Sequence, residues 1–328
     1  MKMAFVSLLT LSLGTLTSCG PLVKIEGSFE MALNISELSK LIVETGSGDI
    51  HIIRGEDNQI FVSARFIVQA PGAETAHKLA EQLKIDPPIK QQDNIIRVGD
   101  LRNYGLGLGV SCNILETWSC FGASITMSFT IQVPYTTEVA LDSGSGDLIV
   151  SGIRGPVHTN TGSGDVEISG VEREVIAKVG SGGIKVAGAA KVNINIGSGR
   201  VELSKIREDV KVDVGSGNVS LEDIGGDIAV STGSGNVRLN SNLGASVRWH
   251  LSTGSGHVRL ALPPDARFVI TAKVSSGEIE MDFPLAGKIR KRELRGTVGE
   301  SPEAEIHIKT SSGDIRIKKK DASLDSSN

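Results

Sequence analysis

The sequence predicts an all-β fold: a single-stranded parallel β-helix, or β-solenoid, of about ten coils of ~18 residues, with a small α+β insertion near the N-terminus. Three observations carry this. A Gly-Ser-Gly mark recurs at nearly constant spacing, short apolar/polar alternations flank each mark, and no helix-length segment separates consecutive marks in the repeat region. Composition agrees, with 39 Gly in 328 residues and only 4% aromatic side chains. Collagen would need Gly at every third position, and a disordered chain would lack the many Val, Ile and Leu. A net charge of −4 gives no overall basic excess of the kind that nucleic acid binding demands.

The mark is Gly-Ser-Gly, or Ser-Ser-Gly in two late copies. Its last residue falls at Gly48, Gly146, Gly164, Gly182, Gly199, Gly217, Gly235, Gly256, Gly277 and Gly313. From Gly146 to Gly235 the steps are 18, 18, 17, 18 and 18 residues. Before each mark apolar residues or Thr alternate with polar ones, as in Val192, Ile194, Ile196 and Val210, Val212, Val214. After it a second alternation begins, as in Val201, Leu203 and Val219, Leu221. Period two means strand with one face buried. About five inward side chains cannot offset the ordering entropy of a whole unit, so units must stack and share a core. With no helix available as a crossover, the coil is itself the crossover, and stacked strands run parallel.

Glycine at a coil corner reaches backbone conformations closed to other residues. The residue after the mark is often one that favours turns, giving the column Asp49, Asp147, Asp165, Asn218, Asn236 and Asp314. Calcium solenoids also use a Gly/Asp repeat of this length, but with differently placed acids. Here the column also contains Gly183, Arg200, His257 and Glu278, so turn stabilisation is expected and no metal site.

Residues 1–18 read as an export signal, with Lys2 followed by an apolar stretch and small residues. Leu16-Thr17-Ser18-Cys19 resembles the bacterial lipobox, which implies that Cys19 carries lipid and begins the mature chain, anchoring it to a membrane. Gly20, rather than Asp, follows Cys19; the rule for Gram-negative lipoproteins then favours the outer over the inner membrane. Residues 19–37 read as a linker and 38–318 as the solenoid domain. Export places Cys112 and Cys120 where a disulfide can close a small loop, the alternatives being a metal pair or free thiols.

The insertion covers 54–135. Ile60–Val68, Ile95–Val98 and Ile125–Val133 look like strands. Glu74–Leu83 looks like a short helix with Ala76, Leu79, Ala80 and Leu83 on one face, ended by Asp86-Pro87-Pro88. Capping of a solenoid end is its expected role, with recognition of a partner by the Tyr104–Phe121 loop as the alternative. Lys318-Lys319-Lys320 and residues 319–328 read as a charged, disordered tail that blocks edge pairing.

The Ser-Gly-Asp-Val-like turns, the phrases Ile131-Gln132-Val133-Pro134 and Leu262-Pro263-Pro264, and the lipobox together resemble the bacterial putative-adhesin family. That family is a β-strand-repeat domain of unknown function often found in lipoproteins. The resemblance covers roughly residues 38–318 and implies a β-repeat fold without supplying a catalytic residue.

Parallel β-helices also host polysaccharide lyases and glycosidases, whose sites need converging acids and bases. The nearest cluster here is His250 and His257 with Arg238, Arg248 and Arg259, and it reads as a solvated polar face. The expectation is therefore a non-enzymatic, lipid-anchored envelope protein without cofactor, adhesin-like or structural, with protein or glycan partners. Two rival readings are a regulatory or sensing scaffold that presents the 99–124 loop to a protein partner and a β-helix carbohydrate-active enzyme.

Overall fold

The computed structural model describes residues 11–12, 22–35, 40–101 and 123–320. Cys19, Cys112, Cys120 and most of the 99–124 loop lie outside the described residues. The chain forms two compact units, Met1–Ser163 and Gly164–Asn328. Strands dominate both.

In the second unit each repeat gives one strand to each of two sheets. In one sheet Glu174–Ser181, Lys191–Ser198, Val210–Ser216, Ile228–Ser234 and Arg248–Ser255 lie side by side and parallel. In the other, Val166–Ser169, Ile184–Ala189, Val201–Ile206, Val219–Ile224, Val237–Asn240 and Val258–Leu262 do the same. Pairing is in phase with the repeat, so equivalent residues face each other: Val192, Val210, Ile228 and Trp249 form one buried row. Val201, Val219, Val237 and Val258 form another. Alternation along each strand sends the polar residues outward.

The last two repeats depart from consecutive stacking. Strand Ala304–Ser312 lies between Arg248–Ser255 and Phe268–Ser276, and Ile315–Lys319 lies between Val258–Leu262 and Ile279–Met281. The final repeat is therefore inserted ahead of the one that precedes it in sequence. The reason is visible in residues 286–298. Strands Ala286–Arg290 and Glu293–Val298 form an antiparallel hairpin laid against Phe268–Ser276, covering one edge of that strand and leaving its other edge to the returning chain. Lys273 Nζ stands 3.2 Å from Glu293 across this junction, and their hydrogen bond holds the Glu293 carboxyl below the usual carboxylate range. The hairpin covers the end of the sheet that holds Phe268–Ser276. In the other sheet Ile315–Ile317 has a neighbour on each side, whereas Lys318 and Lys319 pair on one side only, with Ala261 and Leu262.

The first unit combines the same parallel pairing with antiparallel strands. Lys40–Ser47 pairs with Glu138–Ser145, and Ile50–Arg54 with Leu148–Ser151, in the parallel register of the repeats. Residues 22–34, expected to be linker, instead form a strand. Leu22–Asn34 pairs antiparallel along its whole length with Gln59–Pro71, which pairs with Ser124–Val133. Its alternation of Ile25, Phe29 and Met31 buries one face, a pattern too irregular at Gly27 and Ser28 to stand out in sequence.

Part of the 54–135 segment rejoins the repeat pattern. Ile95–Val98 runs parallel to Lys40–Ser47, and Ser124–Val133 runs parallel to Ile50–Arg54. The helix spans Ala73–Ile85 and buries Ala76, Ala80 and Leu83, with Leu79 half-buried. It packs on Leu22–Asn34 and Gln59–Pro71.

The mark glycines sit at the corners between the two strands of a repeat. All ten have positive φ, from 118° at Gly48 to 154° at Gly217. At Gly199 (φ 147°) a Cβ would also lie 1.7 Å from the carbonyl oxygen of Gly182 in the neighbouring repeat. Both the backbone angle and the contact exclude a side chain. The amides of nine marks, from Gly48 to Gly256 and Gly313, donate to a serine carbonyl of the adjacent repeat, as from Gly199 to Ser216 O at 2.9 Å and from Gly217 to Ser234 O at 2.7 Å. Buried threonines reinforce the corners: Thr253 Oγ1 donates to Gly235 O at 3.0 Å and Thr310 Oγ1 to Gly256 O at 3.1 Å.

Gly199→Ala should cost about 2–4 kcal/mol in urea unfolding, from backbone strain plus displacement of the neighbouring corner. Gly46→Ala, at a position where a Cβ meets nothing within 4 Å, should change stability by less than about 1 kcal/mol. Equal effects at the two sites would contradict this account of the corners.

Candidate functional site

The Asp/Asn column does more than stabilise its own turns: the side chains of Asp49, Asp165, Asn218, Asn236 and Asp314 each take the backbone N–H of the same position in the adjacent repeat. Asp49 Oδ1 accepts from Asp147 N at 3.0 Å and Asp165 Oδ1 from Gly183 N at 2.6 Å. From Asn218 the chain of bonds is unbroken. Asn218 Oδ1 accepts from Asn236 N and Asn236 Oδ1 from His257 N, each at 2.9 Å. His257 Nδ1 accepts from Asp314 N at 3.0 Å, and Asp314 Oδ1 from Glu278 N at 3.2 Å. The order 257, 314, 278 follows the inserted final repeat. His257, an interruption of the column in sequence, serves through Nδ1 as another acceptor.

A second column at the opposite corner was not read from the sequence. Asp209 Oδ1 accepts from Asp227 N at 3.1 Å, and Asp227 Oδ1 from Arg248 N at 2.7 Å. Its signal was the pair of aspartates preceding Val210 and Ile228 at the repeat spacing. Among the described residues no group of three or more His, Cys, Asp or Glu side chains is arranged to hold a metal. One carboxylate oxygen at each of several positions is already committed to a backbone amide.

The structure divides the His/Arg cluster of residues 238–259. Arg248 and His250 lie on the sheet that holds Arg248–Ser255. There the His250 ring stacks on His307 at 4.7 Å between centroids, and His307 Nε2 lies 2.8 Å from Glu305 Oε1. Arg238 and Arg259 belong to the other sheet, side by side in register. His257 is engaged at the corner. The acids and bases required for glycosidic bond cleavage are not brought together from these residues.

Register instead builds a row of outward side chains on Val166–Ser169 and the strands that follow it. Glu167, Lys185, Glu202, Ser220, Arg238, Arg259, Arg316 and Glu280 occupy equivalent positions on eight neighbouring strands. Each stands three residues after its mark glycine, so the row is legible once that offset is followed. Its placement of Arg316 beside Arg259 is not, because that depends on the inserted final repeat. Signs mix at one end, where Lys185 Nζ lies 3.1 Å from Glu167, whereas three arginines are consecutive at the other. In the first unit a polar groove of about 680 Å³ is lined by Asp49, His51, Ser63, Arg65 and Thr130 among others.

A family model described as Toastrack DUF4097 matches residues 38–318. No curated protein matches the chain. Among solved structures, similarity is found to a putative cell adhesion protein from Clostridium sporogenes ATCC 15579 (15% identity, TM-score 0.24, covering 89% of this chain and 99% of that one). It is also found to a putative adhesin from Bacteroides fragilis NCTC 9343 (11%, TM-score 0.33, 88% and 96%). A further match is a putative lipid binding protein from Parabacteroides distasonis ATCC 8503 (14%, TM-score 0.27, 89% and 97%).

Asn236→Ala, which strips the acceptor from His257 N–H, should lower stability by about 1 kcal/mol in urea unfolding. Arg200→Asn, which supplies an acceptor where the column is interrupted, should raise it by about 0.5 kcal/mol. Millimolar calcium should leave the melting temperature unchanged. A rise of several degrees with calcium would mean that the column is a cation site.

Proposed function

Because the chain belongs to the Toastrack DUF4097 family, whose model spans residues 38–318, we propose that it is an exported, lipid-anchored β-solenoid acting as an adhesin-like or structural interaction module at the cell envelope. In this reading the repeats wind as a single-stranded parallel β-helix and their outward faces meet protein or glycan partners without a cofactor. The observation that carries it is the register of the outward side chains. In-phase parallel pairing turns each outward position into a straight row fixed at strand spacing, which suits recognition of an extended partner. Division of the His/Arg cluster between two sheets favours a binding role over hydrolysis.

The anchor and the location rest on Leu16-Thr17-Ser18-Cys19 and on Gly20. Lipidation of Cys19 would tether the mature chain, and Gly20 favours the outer membrane. A single acyl chain binds a bilayer only marginally, whereas the several chains of a bacterial lipoprotein hold firmly.

Cys19→Ser should abolish incorporation of labelled palmitate and move the protein from the membrane pellet to the soluble fraction. An unchanged pellet fraction would refute the anchor. A strain deleted for the protein should lose attachment to its surface substrate. Unchanged attachment, together with recovery of one stoichiometric protein partner dependent on residues 99–124, would favour the regulatory scaffold instead.

A further inference from the structure

We propose that Arg238, Arg259 and Arg316, with Lys318 and Lys319, form a docking groove for an extended acidic polysaccharide carrying one carboxylate per sugar. The three arginines hold the same register position on three neighbouring parallel strands, so their Cα atoms are spaced by about 4.8 Å. Like charges directly opposite one another destabilise a sheet, and the same row avoids this at its other end by alternating Glu167, Lys185 and Glu202. Three consecutive arginines on a chain of net charge −4 therefore run against both local and overall charge balance.

Only one of them is neutralised. Arg316 Nε bonds Glu280 Oε2 at 3.0 Å and its Nη2 lies 3.4 Å from Asp314 Oδ2. For Arg238 and Arg259 no carboxylate lies within ion-pair distance among the described residues. The arginines border a groove of about 670 Å³ that is lined also by Ala261, Lys318 and Lys319.

The geometry favours one class of anion. Glu280 is the next residue along the row, so Arg316 already shows the contact offered: a carboxylate one strand spacing away, held by a guanidinium. An extended uronate chain laid along the row would offer carboxylates to Arg259 and Arg238, whose planar forks match that group. Nucleic acid binding usually adds aromatic platforms for bases, and no aromatic side chain lines this groove. A peptide adding as a strand needs a free edge, and the strands carrying Arg238 and Arg259 offer none, since Val237–Asn240 and residues 258–261 are paired on both sides. A recessed groove also suits a chain better than a flat bilayer. This inference deepens the interaction-module reading and rests on it for its setting, although binding in solution is measured independently of cell attachment.

The test is equilibrium binding of the full chain, in detergent, to polygalacturonate, with dextran, polyphosphate, single-stranded DNA and anionic phosphatidylglycerol vesicles as competitors. Polygalacturonate should bind, weakening as salt rises, and dextran should not compete. The double variant Arg238→Gln/Arg259→Gln should bind about tenfold or more weakly, while Lys185→Gln, in the same row outside the groove, should bind within about twofold of the parent. Relief of arginine repulsion should leave the double variant melting no lower than the parent, which separates lost binding from lost folding. Absence of binding at low salt, equal binding by the double variant, or stronger binding of polyphosphate, DNA or vesicles would overturn the proposal. Attachment that depends on the protein but survives the double substitution would also overturn it, leaving the interaction-module reading intact.

Discussion

The carbonyl oxygen of one mark glycine lies where a side chain on the next repeat's glycine would have to go. At Gly217 a Cβ would fall 1.6 Å from Gly199 O, and φ is 154°. No residue other than glycine satisfies both demands. That contact draws the corners of neighbouring repeats together, brings the glycine amide to the adjacent serine carbonyl, and so sets the phase of the strands on either side. The high glycine content is a structural requirement at these corners, not a sign of flexibility.

Fixed phase has consequences on both faces of the sheets. Inside, like residues meet in rows, and a narrow interior is filled by Val, Ile and Leu with few rings. Trp249 is accommodated because its indole N–H donates to Gly226 O at 3.1 Å, leaving no polar group unsatisfied as the ring is buried. Outside, every position becomes a row whose chemistry is set repeat by repeat. The same regularity that lets Asn218, Asn236 and His257 hand hydrogen bonds from turn to turn also lines up Arg238, Arg259 and Arg316. Stability and recognition thus draw on one repeat length.

Much of this was legible in the sequence because a period of 17–18 residues and an alternation of two are properties of the chain itself. The corner glycines, the inward rows and the helix near residues 74–83 follow from local pattern. Where the structure departs from the sequence reading, the cause is a choice between partners that local pattern does not encode. Leu22–Asn34 carries no glycine mark and becomes a strand only because Gln59–Pro71 lies alongside it. Gly313 carries the same mark as Gly277, yet its repeat passes inside, with the 286–298 hairpin on the far edge of Phe268–Ser276. The His/Arg cluster looked contiguous at residues 238–259 and was divided because strands on either side of a corner belong to different sheets.

Amide hydrogen exchange of the mark glycines is the most direct measure of whether stacked corners hold the fold. If each glycine N–H is bonded to the serine carbonyl of the adjacent repeat, the amides of Gly199, Gly217 and Gly235 should exchange as slowly as those of Val212 and Val230 in the neighbouring strands. Exchange of the glycine amides at the rate of an open surface turn, with the strand amides still protected, would contradict the account.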